Sequence, residues 1–319
     1  MEKRRLGDSD LGVSAVGLGT NNFAGRLDDG AARLVLDEAL EQGITFIDTA
    51  DTYGRDSPEG TGASESQLGR VLAGRRNGFL LATKVGSPMS ESPLERGASR
   101  RWIMTEVEDS LRRLRTDFID LYQIHVPDSE TPIEETLRAL DDLVRSGKVR
   151  YVGHSNFAAW QIVDADWTAR AEHLARPISA QMHYNLLNRG IETEVIPACE
   201  ARGLGIIPYF PLESGFLTGK YKPGGVGHGR LSQGARAAEV MTPANFERLG
   251  ASERFAAERG HSLLHLAFGW LLSQPIVASV IASASAPEQV RANVAAARNC
   301  LAAARAFPRS SRTRPNLNR

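Results

Sequence analysis

The chain has 319 residues, 42% hydrophobic and 24% charged, a globular composition with room for one large domain or two ordinary ones. Lys+Arg and Asp+Glu both number 38, so no overall charge draws the chain to nucleic acid or to an acidic membrane. No apolar run approaches the ~18 residues of a membrane span, and the opening MEKRRLGDSD has no apolar stretch behind its basic residues, unlike a secretory signal.

After a start that can form a hairpin, VSAVGLG (13–19) reads as a strand. GAARLVLDEALEQG (30–43) reads as a helix, capped by Asp28 or Asp29 and ended by Gly43. ITFID (44–48) is a strand, 63–74 a helix and FLLATK (79–84) a strand. Ile103, Val107, Leu111 and Leu114 then share one helical face. FIDLYQIH (118–125) is a strand. In TPIEETLRALDDLVRSG, Thr131 is expected to cap a helix, with Pro132 first inside it and Glu134 three residues after the cap. Strand VRYVG (149–153), a helix near 157–172, strand ISAQ (178–181), a helix near 191–202 and strand GLGIIPYF (203–210) follow. HSLLHLAFGWLLSQ is a helix, VASVIA (277–282) a strand, and Pro287 opens a last helix.

Eight strands, each followed by a helix, imply a parallel sheet, and their number at this length fits a (β/α)₈ TIM barrel of ~250 residues. An open doubly wound sheet needs fewer strands. No linker interrupts the pattern, so one domain is expected over 1–304, followed by a basic, disordered tail at 305–319. The last stretch, 299–319, holds five arginines and no acid. Both a native tail and a frame-altered end account for it.

In such a barrel, catalytic groups stand at the C-terminal ends of the strands. Those ends carry Gly19-Thr20-Asn21, Asp48 with Tyr53 beyond it, Lys84, His125, Ser155-Asn156, Gln181, Tyr209, and Ser283 with Ser285. Asp48, Lys84 and His125 are costly beside a core. Together with Tyr53 they make an acid–base site. Lys84 is expected to lower the tyrosine pKa from ~10, Asp48 to hold Lys84, and His125 to orient a carbonyl oxygen. Such a set suits protonation of a developing alkoxide. GxSxG is absent, so no nucleophile elbow is expected.

From residue 3 to 298 the chain resembles the aldo-keto reductases. The resemblance rests on GLGT (17–20), GITFIDTADTYG (43–54), LATKVG (81–86), DLYQIHVPD (120–128), VRYVGHSNF (149–157), QMHYNLLNR (181–189) and GLGIIPYFPLESGFLTGKY (203–221). It is nearest the branch of potassium-channel β-subunits and bacterial aldo-keto reductases. It implies a (β/α)₈ barrel that reduces an aldehyde or ketone by hydride transfer from a nicotinamide, with Tyr53 as general acid, tuned by Asp48 and Lys84, and His125 polarising the carbonyl. The cofactor expected is NADPH, with NADH possible. Ser155, Asn156 and Gln181 match its carboxamide contacts and Tyr209 the residue stacked on its ring. The run Phe210, Pro211, Leu212, Glu213, Ser214 and Gly215 matches the pyrophosphate loop. Lys220 and Arg230 match phosphate-binding cations, and Ser285, Gln289 and Asn293 the adenosine end. Gly19, Thr20, Asn21 and Asp48 join the cofactor contacts. The chain departs where the family has a proline and a glycine, which here are Ala282 and Ser283, and where an acid precedes Asn293, which here is Ala292.

The partner expected is a small carbonyl compound, with no nucleic acid, membrane or metal, and with the oligomeric state open. A cofactor-sensing regulatory subunit with little turnover is the alternative. HSLLH (261–265) has the histidine spacing of a zinc helix without its glutamate. His154 and His183 lack a triad partner and read as structural or rim residues, and His173 and His228 as surface residues. Cys199 and Cys300, far apart and without a CxxC partner, read as incidental thiols of a cytoplasmic protein.

Overall fold

The computed structural model describes residues 1–225, 229–232 and 235–306, with side chains as far as residue 298. Strands β1 (Lys3–Arg5) and β2 (Gly12–Ser14) form an antiparallel hairpin. The strand expected over 13–19 is therefore two strands. Ala15 divides them by changing partners: its N–H goes to the Glu2 carbonyl at 2.9 Å, and its own carbonyl accepts from Val280 at 2.9 Å.

Eight parallel strands follow: β3 (Val16–Gly19), β4 (Phe46–Asp48), β5 (Leu80–Val85), β6 (Ile119–Ile124), β7 (Val149–Ser155), β8 (Pro177–His183), β9 (Gly205–Tyr209) and β10 (Val280–Ser283). Their order is β10-β3-β4-β5-β6-β7-β8-β9. Ile206 closes the circle. It donates to Ile276 at 2.9 Å, accepts from Ala278 at 3.0 Å and forms a parallel bridge with Val277. The molecule is a (β/α)₈ barrel. The hairpin stops its N-terminal end, where Leu6, Leu11 and Val13 pack with Phe46, Leu121 and Ile207. That leaves the C-terminal mouth for chemistry.

The helices are α1 (Asp29–Glu41), α2 (Ala63–Val71), α3 (Arg100–Leu114), α4 (Ile133–Arg145), α5 (Ala159–Ala171), α6 (Val195–Arg202), α7 (Ala235–Val240), α8 (Pro243–Ala257), α9 (Leu263–Ser273) and α10 (Pro287–Ala306). Asp28 caps α1, accepting from Ala31 at 2.8 Å. The expected face of α3 is buried: Ile103, Val107, Leu111 and Leu114 all lie in the core. The expected cap of α4 is different. Pro132 holds the cap position, while the Thr131 hydroxyl donates to Asp128 at 2.7 Å. Asp128 also accepts from the Ala98 and Glu130 amides, at 2.7 and 2.9 Å. Helices α7 and α8 lie in a stretch given no element by the sequence pattern. The tail expected at 305–319 lies outside the described residues from 307 onward, as does His228.

Candidate active site

Strand β5 delivers Lys84 to the mouth of the barrel, fully buried. Its Nζ donates to Asp48 Oδ2 at 2.7 Å, to the Thr49 carbonyl at 2.7 Å and to the Tyr53 hydroxyl at 3.5 Å. An unpaired charge at that depth would cost several kcal/mol, so Asp48 is what lets the ammonium sit there. The second Asp48 oxygen is occupied too, by Gln181 Nε2 at 2.8 Å and Gln123 Nε2 at 3.4 Å. Tyr53 reaches the site from the turn after β4. That turn is held by Tyr53 N–H to the Ala50 carbonyl at 3.1 Å and by Ser64 N–H to the Tyr53 carbonyl at 3.1 Å. His125 follows β6 and meets the Tyr53 ring edge-on, with centroids 6.0 Å apart.

The electrostatics correct one expectation. Burial raises the Tyr53 pKa above its ordinary value, Asp48 adds to the rise, and the Lys84 charge opposes it without prevailing. The phenol therefore keeps its proton. Burial works against the Lys84 charge, but Asp48 and Tyr53 outweigh it and the pKa is raised. His125 is pushed down to about 3, by burial first and then by Lys84, so its ring is neutral at ordinary pH. Its Nδ1 is buried without a partner. A proton there would be an unpaired buried donor, which places it on Nε2 instead.

These side chains open onto a cavity of about 620 Å³ that runs across the barrel mouth. At its inner end Ser155 Oγ donates to the Gln181 carbonyl at 2.9 Å. Asn156, in the left-handed region at φ 63°, donates to the His125 carbonyl at 3.0 Å. Tyr209 donates its hydroxyl to Asn156 Oδ1 at 2.8 Å, which turns its ring into the cavity wall. The next segment bends sharply: Phe210, Glu213 and Ser214 all have positive φ, at 51°, 45° and 57°, followed by Gly215 at 89°. Each such non-glycine residue costs roughly 1–3 kcal/mol and persists only where its surroundings impose it.

The outer end is cationic. Lys220 lies against this bend, where a Cβ on Gly215 would come within 3.1 Å of its Cε. Arg230 donates to Asn21 Oδ1 at 2.9 Å and also to Asn22. Ser283, which stands where the family has a glycine, turns its hydroxyl to Asn21 Oδ1 at 2.6 Å. Ser285 binds Gln289 through its N–H at 2.8 Å, and Asn293 lines the same end beside Ala292.

Every residue assigned to the cofactor from sequence lines this cavity except Thr20 and, within the matched loop, Glu213. Thr20 is fully buried, with its hydroxyl turned to the Asp48 carbonyl at 3.2 Å. Lys84 lies behind the wall. Arg26 and Asn22 also line the cavity and were missed, because they sit in an irregular turn with no periodicity to mark them. Among the described residues no group of three or more His, Cys, Asp or Glu side chains could hold a metal ion, and no helix is long and apolar enough to cross a membrane. Cys199 is buried, its thiol pushed up to about 12 by burial.

The donor set fits a nicotinamide dinucleotide: amides and a flat phenol at one end, cations at the other. Glycine is needed where the chain comes close. A Cβ on Gly19 would lie 2.8 Å from Ile281 Cγ2. Fold and site together define a barrel oxidoreductase. Residues 15–305 match the aldo/keto reductase family, and the chain belongs to it. It is an NAD(P)H-dependent oxidoreductase acting on small molecules. It is 37% identical over 303 residues to "Uncharacterized oxidoreductase YrpG" of Bacillus subtilis (strain 168), covering 93% of this chain and 91% of that one. It is 33% identical over 315 residues to "L-glyceraldehyde 3-phosphate reductase" of Escherichia coli (strain K12), covering 94% and 88%. It is also 33% identical over 312 residues to "Probable voltage-gated potassium channel subunit beta" of Arabidopsis thaliana, covering 93% and 91%.

Proposed function

We propose that the protein reduces an aldehyde or ketone to the alcohol with NADPH, and that Tyr53 supplies the proton. One observation carries the reading: the Tyr53 hydroxyl lines the cavity with the Lys84 ammonium 3.5 Å behind it. When bound, the reduced nicotinamide supplies a hydride to the carbonyl carbon. Ser155, Asn156, Gln181 and Tyr209 would hold its ring end. Gln181 gives one amide N–H to Asp48, which leaves its Oε1 and its second N–H for the cofactor.

His125 donates from Nε2 to the carbonyl oxygen and, being neutral, gives up no proton of its own at ordinary pH. Tyr53 transfers its hydroxyl proton to that oxygen as negative charge builds on it. The phenolate left behind faces Lys84, and Asp48 prevents the ammonium from following it into the cavity. Lys220, Arg230 and Arg26 surround the outer end, where a 2′-phosphate would receive charge-assisted hydrogen bonds. That supports NADPH over NADH.

Tyr53→Phe tests the reading. It keeps the ring and removes the proton, so reduction of a good aldehyde should fall ~10²–10⁴-fold while NADPH affinity is kept. Wild-type rates in this variant would remove Tyr53 from the role. A cofactor-sensing subunit requires no proton donor, so the turnover of the unaltered protein separates the two readings.

A further inference from the structure

We propose that His183 and Glu213 are a positioning pair: the His183 ring backs Tyr209, and Glu213 locks the bend after it. Through them the aromatic wall and the phosphate-side loop hold one shape together. The inference rests on the proposed seating of a nicotinamide dinucleotide against Tyr209.

The His183 and Tyr209 rings are stacked, with centroids 5.4 Å apart and planes 18° from parallel. Asn188 Nδ2 lies 2.7 Å from His183 Nδ1. An amide NH₂ can only donate, so Nδ1 accepts and the ring proton is on Nε2. Nε2 then donates to Glu213 Oε2 at 2.8 Å. Bonds at both ring nitrogens fix the plane of the imidazole.

Glu213 is almost fully buried. Its Oε2 also accepts from Asn185 Nδ2 at 2.8 Å, and the same amide nitrogen donates to the Phe210 carbonyl at 2.9 Å. Arg236 of α7 holds the other oxygen. One carboxylate therefore joins the segment after β8, the end of β9 and α7. The backbone it joins is the run of left-handed residues at Phe210, Glu213 and Ser214. Such a run needs surroundings that over-determine it, and these bonds are the surroundings.

Tyr209 shows why the pair bears on function. Its hydroxyl is tied to Asn156 at 2.8 Å. One tether at the tip leaves the ring free to rock about its long axis. The imidazole on its face stops that motion, and Glu213 stops the imidazole. The wall is thus set before a cofactor arrives, so less ordering is left for binding to oppose.

The test is a titration of the full-length protein with NADPH, followed by nicotinamide emission and by quenching of tryptophan. The variants are His183→Gln, His183→Phe, Tyr209→Ala, Glu213→Ala and the doubles that combine His183→Gln with each of the last two. His183→Gln keeps a polar side chain in the Asn188–Glu213 network and removes only the ring. It should weaken NADPH ~10-fold and shift the emission of the bound cofactor. His183→Phe restores the ring without its bond to Glu213 and should recover only part of both. In the Tyr209→Ala background His183→Gln should cause no further loss, and in the Glu213→Ala background much less than ~10-fold.

Unchanged affinity and emission in His183→Gln overturns the proposal. So does the same loss with and without Tyr209, or a full recovery in His183→Phe, which would show that the ring needs no bond to Glu213. Wild-type affinity and emission in Tyr209→Ala would take down the seating against Tyr209 and the pair with it. A clear Tyr209→Ala loss beside a silent His183→Gln sinks the pair alone.

Discussion

Tyr53 sits between opposing influences, and their magnitudes decide its state. Burial and Asp48 raise its pKa while Lys84 lowers it, and the sum is a rise. A proton donor works in its protonated form. Its contribution is therefore complete well below its pKa and is lost as pH rises through that value. With the folded value above the ordinary ~10, carbonyl reduction should stay level through pH 9 and decline only beyond about 10. A rate profile of the NADPH-saturated enzyme checks this, and a donor inflection below pH 9 would assign the proton to another group. The outer end of the cavity makes a separate claim. Arg230 is held by two asparagines rather than by an acid, so its charge is not cancelled. Arg230→Ala should weaken NADPH more than NADH, roughly 10-fold more if one charge-assisted hydrogen bond is lost. Equal weakening of both cofactors would show that Arg230 does not read the 2′-phosphate.

At the scale of elements, α2 and α3 meet through a glycine. A Cβ on Gly69 would fall 2.1 Å from the Arg113 carbonyl oxygen. Alanine gains about 1 kcal/mol in helix propensity, but overpacking costs ~1–3 kcal/mol and here the obstacle is backbone, which cannot swing aside. Gly69→Ala should therefore destabilise the protein. On α8 a Cβ at Gly250 would meet only the tip of Arg254 at 3.5 Å, so Gly250→Ala should stabilise it by ~0.5–1 kcal/mol. Paired urea melts check both signs. Strand ends such as Asp48, Lys84 and His125 were legible in sequence, because an ionisable residue closing an apolar run is costly beside a core. The start of α4 was misread because Asp128 competes for the Thr131 hydroxyl, and a local pattern does not show a partner three residues upstream. Helix α8 went unread although Thr242 caps it, accepting from Asn245 at 3.2 Å, and Pro243 opens it. Only Leu249 and Ala256 of that helix are buried, too few to raise a periodic signal. The coupling of His183 to Glu213 spans 30 residues and was invisible as spacing.

Across the whole molecule, the barrel wall and the turn that carries Tyr53 share one buried acidic cluster. Glu65 of α2 accepts from Arg113 Nε at 2.7 Å and from Ser110 Oγ at 3.2 Å, both on α3, and from Thr83 on β5. Arg113 also binds Glu106. Asp51, fully buried on the turn that carries Tyr53, faces this cluster. Burial raises its pKa well above the carboxylate range, and Glu65 and Glu106 add to the rise. Burial likewise lifts Glu106 to about 7. Each folded acid thus keeps its proton where the unfolded chain has lost it, above ~4. Such a group contributes stability that is fully present below the unfolded value and is lost as pH rises toward the folded one. Asparagine copies the shape of a protonated Asp51 and has no proton to lose. Asp51→Asn should therefore resemble the wild type near pH 4 and exceed it increasingly between pH 5 and 8. Melting temperatures of the two proteins across that range check the sign. A difference that stays constant with pH would mean that Asp51 is not held protonated, and that Arg113 compensates all three carboxylates as ions.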